Sequence, residues 1–312
     1  MSDLLLCDLE HLHSEMANLV SSKAVLRTHE PLAKRTTLRV GGVADLYAEP
    51  ASEADLSLLV RFCAAKEIPF RLLGRGSNLL IRDGGIRGLV VSLAHPDFAR
   101  IEVKGILIRC VAGARLKALA AEARRCGLSG LEFLEGIPGS VGGALRMNAG
   151  AMGSATFETV ELVRGMEMDG SVFERHVAQV PVQYRNCPLF KAQIALGAVF
   201  RGTPAAAEII AERMRVFNEK RWETQPKEPS AGCVFKNPST IPAGKLIEEL
   251  GLKGRRIGGA VVSPTHGNFI INDGDATAND VLELIELMQE TALRERGIEL
   301  ETEVEIAGED LD

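Results

Sequence analysis

The chain has 312 residues, 46% of them hydrophobic, and a net charge of −6. That is enough apolar material for roughly two domains of about 100–200 residues each, and it excludes global disorder. The acidic balance, with a pI of about 5.7, excludes a nucleic-acid binder that works by neutralising phosphates along a basic face. A small anion gripped by one local cluster stays possible.

No apolar run reaches the ~18–20 residues of a membrane span. The N-terminus MSDLLLCDLEHLHSEM alternates acidic and apolar residues, which is not the basic start and continuous apolar stretch of a signal peptide. Leu4, Leu5, Leu9, Leu12 and Met16 share one helical face, which predicts a short docking helix within an extension over residues 1–30. The six cysteines, at 7, 63, 110, 126, 187 and 233, form no CxxC pair. A reduced, cytoplasmic protein is expected from that scatter, and with no His/Cys cluster no metal site is expected.

A helix is predicted over 53–66, with Ser52 as its N-cap. Strands follow at 69–73 and 88–93, joined by a glycine-punctuated loop, then at 98–104 and 106–112. Leu116 to Cys126 reads as an amphipathic helix closed by Gly127. Five glycines between residues 136 and 150 are expected to interrupt any regular element. Strand-like pieces come at 159–168, 171–174 and 194–201. Thr203-Pro204-Ala205 marks a junction, which predicts mixed α and β units at 1–202 and 203–312. In the second unit, helices are expected at 205–221, 245–250 and 277–296. IGGAVVS and NFIIND read as strands, and Leu300 to Ile306 as a strand with one acidic face. No repeat is present.

Five segments carry candidate chemistry. Gly74-Arg75-Gly76-Ser77-Asn78 follows a strand, and its backbone N–H groups suit an anion nest as well as an ordinary turn. It is not GxGxxG, because residue 79 is Leu. In GIPGSVGGALRMNAG, Gly136, Pro138, Gly139, Ser140, Gly142, Gly143, Asn148 and Gly150 allow either close approach of a flat cofactor or pyrophosphate, or a tight backbone crossing. Two such loops without a Walker lysine suggest a dinucleotide held by backbone. Tyr184-Arg185 offers a guanidinium fork for a carboxylate or an enolate, or a plain surface arginine. PSAGCVFKNP places Cys233 after Gly232, as a core filler or as a reactive thiol. Glu301 and Glu303 would share a strand face, whether catalytic or merely solvated.

Together these segments resemble the UDP-N-acetylenolpyruvoylglucosamine reductase family. The resemblance rests on TTLRVGGVADLY, LLGRGSNLLIRDGGIRGLVV, LEFLEGIPGSVGGALRMNAGA, YRNCPLF, PSAGCVFKNP, AGKLIEELGLKGRRIGGAVVS, HGNFIIN and LETEVEIAG, in that order over residues 36 to 308. Only residues 239–251 separate the Lys-Asn-Pro and Leu-Lys-Gly motifs, as in the short form of the family that lacks an extra loop. The resemblance implies an α+β fold: a vanillyl-alcohol-oxidase-type FAD-binding unit of two subdomains over 31–202, and a smaller α/β substrate-binding domain over 203–312. It implies bound FAD held by the two glycine-rich loops. It also implies NADPH as hydride donor, and reduction of UDP-N-acetylglucosamine enolpyruvate to UDP-N-acetylmuramate in peptidoglycan precursor synthesis, by a monomer.

Carried residue by residue, the resemblance assigns carboxylate and enolate stabilisation to Arg185, a charge- or proton-holding role to Glu303, and the proton donor at C2 to the position of Cys233. The family's commoner residue at that position is Ser. A thiol with an ordinary pKa near ~8.5 donates more readily than an alcohol. Substrate contacts are expected from Tyr184, Lys236, Asn237 and His266. A flavin oxidase of the same cofactor fold, or a nucleotide-sugar sensor that keeps the scaffold, are the competing readings. Arg185, Cys233 and Glu303 occurring together weigh against the sensor.

Overall fold

A computed structural model describes residues 3–311, with side chains from residue 8 onward. The calls on the Leu4 and Leu5 side chains therefore lie outside the described residues. The fold is α+β, and the chain separates into two compact units that are discontinuous in sequence. The larger takes residues up to Thr28, Leu46–Arg75 and Gly88–Lys220; the smaller takes His29–Asp45, Gly76–Arg87 and Arg221–Asp312. These units differ from the continuous ranges expected from the Thr203-Pro204 junction.

In the larger unit, the helix Asp3–Leu19 contributes a fully buried Met16 to a core shared with Leu56, Leu59, Val60 and Cys63 of the helix Glu53–Ala65. Ser52 caps that second helix, accepting from Asp55 N–H, a contact worth about 1 kcal/mol. The strands Phe70–Leu73 and Ile86–Ser92 pair in parallel in a four-stranded sheet. A five-stranded antiparallel sheet has the helix Leu116–Arg125 beside it, its Leu116, Leu119 and Ala123 buried in the same core as Val163, Ala198 and Phe200. Gly127 ends that helix at φ 66, a conformation easy for glycine.

The glycine-rich segment departs from expectation, because residues Val141–Met147 form a helix. Val141, Ala144 and Leu145 recur at i, i+3 and i+4 and are buried, so packing of one face outweighs the low helix propensity of Gly142 and Gly143. Ser140 caps the start and Asn148, at φ 42, closes the end.

The smaller unit packs the helices Ala243–Glu249 and Ala278–Arg296 on a four-stranded sheet. Thr277 and Asp280 make a reciprocal cap at the start of the long helix. Its strand Ser230–Cys233 lies between the helices expected at 205–221 and 245–250, where the sequence predicts no strand. The strand expected over 300–306 is confined to Glu305–Ala307, which pairs in parallel with Leu79–Ile81. Residues 301–304 are irregular for a specific reason. Glu303 N–H and Val304 N–H both donate to Val234 O, at 2.7 and 3.3 Å, whereas successive N–H groups of a regular strand point to opposite edges. The shared strand face of Glu301 and Glu303 is thereby corrected.

Candidate active site

Two regions gather the candidate residues, one in each unit. In the larger unit, the segment 139–143 lies along residues 112–116. Leu116 N–H donates to Gly139 O, Val141 N–H to Ala114 O and Gly142 N–H to Ala112 O, at 3.2, 2.9 and 2.8 Å. A Cβ on Gly142 would meet Ala112 at 3.1 Å, so this glycine serves packing. Gly74 and Gly143 are different. A Cβ on either would meet only the Ser140 hydroxyl, at 3.5 and 3.7 Å. They leave an open floor around that hydroxyl rather than a packed one.

Arg75 and Arg115 border the same segment: Arg75 directly follows Gly74, and Arg115 bridges to Ser140. Neither has a carboxylate partner among the described residues. Partial burial, and then the neighbouring Arg115 charge, hold the Arg75 pKa below its ordinary value. Two uncompensated guanidiniums beside glycines with open Cβ positions suit a diphosphate, which would relieve their mutual repulsion. The donor set therefore fits the diphosphate of FAD. Arg115 was missed from sequence, since a single arginine opening a helix carries no motif.

Arg185 is also in the larger unit. It sits on a tight turn closed by Gln183 N–H to Asn186 O (2.8 Å) and Asn186 N–H to Gln183 O (3.2 Å), and it takes φ 55. A left-handed φ is costly for a side chain of this kind and persists only where surroundings enforce it. The enforcement comes from the helix 141–147 and its cap. Asn148 Nδ2 donates to Gln183 O at 3.2 Å, and Cys187 N–H donates to Arg146 O at 3.1 Å. Arg185 Nη1 in turn donates to Gly150 O at 3.0 Å, and its guanidinium lies 5.3 Å from the Tyr184 ring centroid. Tyr184 itself is 61% exposed.

In the smaller unit, Cys233 pairs with Phe269 across a strand whose register shifts between Ser230 and Cys233. Gly232, at φ 80, makes that bulge possible. The Cys233 side chain is half-buried, unlike Cys63 and Cys110, whose thiols burial pushes up to about 12. Those two are inert core fillers. Glu303 is held beside the Cys233 strand by its N–H to Val234 O. Asn78 Nδ2 donates to Glu303 O at 3.0 Å, and Glu305 N–H donates to Asn78 O at 3.1 Å. A Cβ on Gly232 would lie 3.6 Å from Ser77 O. Gly76, Ser77, Asn78, Cys233 and Glu303 are thus brought together locally, with Thr37 tying Gly76 O and Ser230 O through its hydroxyl at 3.2 and 2.6 Å.

The remaining sequence candidates of this unit have internal partners. Lys236 is ion-paired with Glu301. Asn237 Oδ1 accepts from Ala243 N–H at 3.0 Å, at the start of the 243–249 helix. His266 Nδ1 accepts from Asn268 N–H at 3.1 Å, which places the ring proton of the neutral form on Nε2. Burial, and then the Lys253 charge, lower the His266 pKa and favour that neutral form. A fully buried Asn268, absent from the sequence candidates, sits between these groups.

Residues 225–307 match the family described as the C-terminal domain of UDP-N-acetylenolpyruvoylglucosamine reductase, and residues 44–174 match the FAD binding domain family. The UDP-N-acetylenolpyruvoylglucosamine reductase of Moorella thermoacetica is 42% identical over 293 residues, covering 93% of this chain and 95% of its own. That of Pelobacter propionicus is 43% identical over 293 residues, covering 93% and 98%. The crystal structure of the Thermus caldophilus enzyme superposes with a TM-score of 0.79 at 39% identity, over 91% of this chain and 98% of that one. No helix among the described residues is long and apolar enough to cross a membrane.

Proposed function

Because the chain belongs to the UDP-N-acetylenolpyruvoylglucosamine reductase family, we propose that Arg185, Cys233 and Glu303 perform the chemistry of its reaction. The chain is an FAD-dependent oxidoreductase that uses NADPH to reduce UDP-N-acetylglucosamine enolpyruvate to UDP-N-acetylmuramate. FAD, held by the glycine-rich segments 74–78 and 136–150, would supply the two-electron redox chemistry between NADPH and the enolpyruvyl group.

The chain's own residues then have three tasks. Arg185 holds the substrate carboxylate and stabilises the enolate that develops from it, where a positioned guanidinium is worth far more than in water. Its strained backbone and its bond to Gly150 O fix the direction of the fork. The Cys233 thiol donates the proton that converts the enolate carbon C2 into the lactyl ether. An ordinary thiol keeps that proton at neutral pH yet releases it to a strong base. Glu303, on the segment bonded to the main chain next to Cys233, holds charge or a proton during the same step.

Each unit, taken by itself, holds residues that we assign to FAD. In the larger one, Gly74, Arg75, Gly136, Pro138, Gly139, Ser140, Gly142, Gly143, Asn148 and Gly150 form the FAD surface, with Arg115 added by its place beside Ser140. Asn148 contributes through its backbone, since its side chain is used on Gln183 and Phe157. In the smaller one, Gly76, Ser77 and Asn78 contribute. Tyr184, Lys236, Asn237 and His266 contact the nucleotide substrate. The range 31–202 serves mainly the cofactor, with Tyr184 and Arg185 assigned to substrate, the range 203–312 serves the substrate, and the protein works as a cytoplasmic monomer. The observation that carries the catalytic assignment is the bond from Glu303 N–H to the oxygen of Val234, the residue after Cys233, together with the Asn78 carboxamide bond to Glu303 O.

An anaerobic absorbance titration near the ~450 nm flavin band tests the function. Bleaching by NADPH and recovery on adding the enolpyruvyl substrate is the expected result. Recovery with oxygen alone would favour an oxidase, and a protein unable to bind FAD would favour a sensor.

A further inference from the structure

Asn268 is 2% exposed and makes three hydrogen bonds to two consecutive residues. Its main-chain oxygen accepts from Val234 N–H at 2.8 Å. Its Oδ1 accepts from Phe235 N–H at 2.9 Å, and its Nδ2 donates to Phe235 O at 2.8 Å. A carboxamide bonded on both sides in this way copies a peptide group. It carries the strand ladder to Phe235, two residues beyond the Cys233–Phe269 pair, where the 269–272 strand has not yet begun.

The opposite edge of the same two residues holds the other catalytic candidate. Val234 O receives Glu303 N–H, Phe235 bridges to Thr302, and Lys236 N–H donates to Glu301 O at 2.9 Å. Val234 and Phe235 are therefore a two-residue splint, with Cys233 at one end and the irregular 301–304 segment along one side. Regular sheet hydrogen bonding stops at Cys233. Past that point, Asn268 is what the splint is bonded to on its second edge.

We infer that Asn268 is a positioning residue for the proton-transfer step: its carboxamide sets where the Cys233 thiol and the Glu303 carboxylate stand relative to each other. The inference rests on the proposed roles of Cys233 and Glu303. It requires a group that donates and accepts at once. An ionised aspartate could accept from Phe235 N–H but would set a second lone pair against Phe235 O. A protonated aspartate has one donor and one acceptor, and restores the pattern.

The test uses Asn268→Asp as purified FAD-loaded enzyme, with the two half-reactions followed separately by anaerobic stopped-flow absorbance. Bleaching by NADPH should match wild type. Reoxidation by the enolpyruvyl substrate should slow about 10–100-fold at neutral pH, the scale of a small misplacement of reacting groups. It should recover towards the wild-type rate at the same pH as acid protonates the new carboxyl. His266, Glu301, Glu303 and Lys236 titrate or carry charge nearby in both proteins, so wild type at each pH is the reference. Reoxidation rates equal to wild type at every pH, alkaline included, overturn the inference, and so does a loss that acid does not relieve.

Cys233→Ala, run alongside, separates the two levels. Wild-type reoxidation in that variant would remove the catalytic assignment itself, whatever Asn268→Asp does. Amide exchange of the wild-type protein gives a reading that needs no variant. Val234 and Phe235 N–H should both exchange slowly, and rapid exchange at Phe235 beside a slow Val234 would also overturn the role of the carboxamide.

Discussion

Arg185 is presented on a two-residue turn at a left-handed φ, held by the Asn148 side chain at the cap of the 141–147 helix and by the main-chain oxygen of Arg146. Cys233 lies in a strand, and Glu303 is fastened to the neighbouring main chain by its own N–H. The first arrangement bends a backbone to aim one long cation. The second uses regular backbone, extended by one carboxamide, to hold side by side the main chains that carry two short side chains. A guanidinium has reach and needs only its direction fixed, whereas a thiol and a carboxylate have little reach and need their main chains fixed.

Substitutions can break or sharpen this contrast. The largest effect is expected at the short side chain. Cys233→Ala should lower the rate of reoxidation by substrate about 10²–10⁴-fold, the contribution of a positioned general acid, while Cys233→Ser retains substantial activity. Stopped-flow absorbance checks both, and an alanine variant as fast as wild type would refute the proton-donor role. Arg185→Lys keeps the charge but loses the planar fork, and should cost about 10²–10³-fold in the same half-reaction. Little change there would mean that charge alone suffices and that the strained turn is unnecessary.

Arg75→Ala and Arg115→Ala remove one charge each from the glycine-lined floor around Ser140. Each should weaken FAD about 10–100-fold, on the scale of a lost charge-assisted bond, as read by fluorescence titration of the apoprotein. Gly150→Ala attacks the turn from behind. The new Cβ would lie 2.5 Å from Ser154 O and 3.3 Å from Arg185 Nη1. It should destabilise the fold by about 1–3 kcal/mol and raise KM for the enolpyruvyl substrate, as thermal melts and steady-state kinetics would show.

The smallest effect is at His266. Its folded pKa is lowered from 6.5, first by burial, so the unfolded chain takes up its proton at a higher pH than the folded one does. The stability linked to this residue is complete above the unfolded pKa, and is lost as pH falls through the window below 6.5 towards the folded value. His266→Gln should flatten the melting temperature against pH in that window. A curve parallel to wild type would show that the ring does not titrate differently on folding.

Much of this was legible in the residues themselves. Ser52 as a cap, the helix ending at Gly127 and the apolar stripe of the 278–296 helix were readable, because caps and 3.6-residue periodicity act over one or two turns. The ordered motifs named the family, and with it the cofactor. The 141–147 helix was not legible, since glycines argue against a helix locally and only the burial of Val141, Ala144 and Leu145 overrules them. The strand at 230–233 was hidden by Pro229 and Gly232, and becomes a strand only because Phe269–Asn272 lies beside it.

Sequence by itself determined which groups the chain offers for the proposed chemistry: the thiol at 233, the guanidinium at 185, the carboxylate at 303 and the glycine loops at 74–78 and 136–150. Tertiary structure alone decided how those groups are held. The two N–H groups converging on Val234 O, the bond from Asn78 to Glu303 O and the carboxamide of Asn268 join residues between 33 and 225 positions apart. Such pairings leave no local pattern, because each donor finds its acceptor only after the chain has folded back on itself.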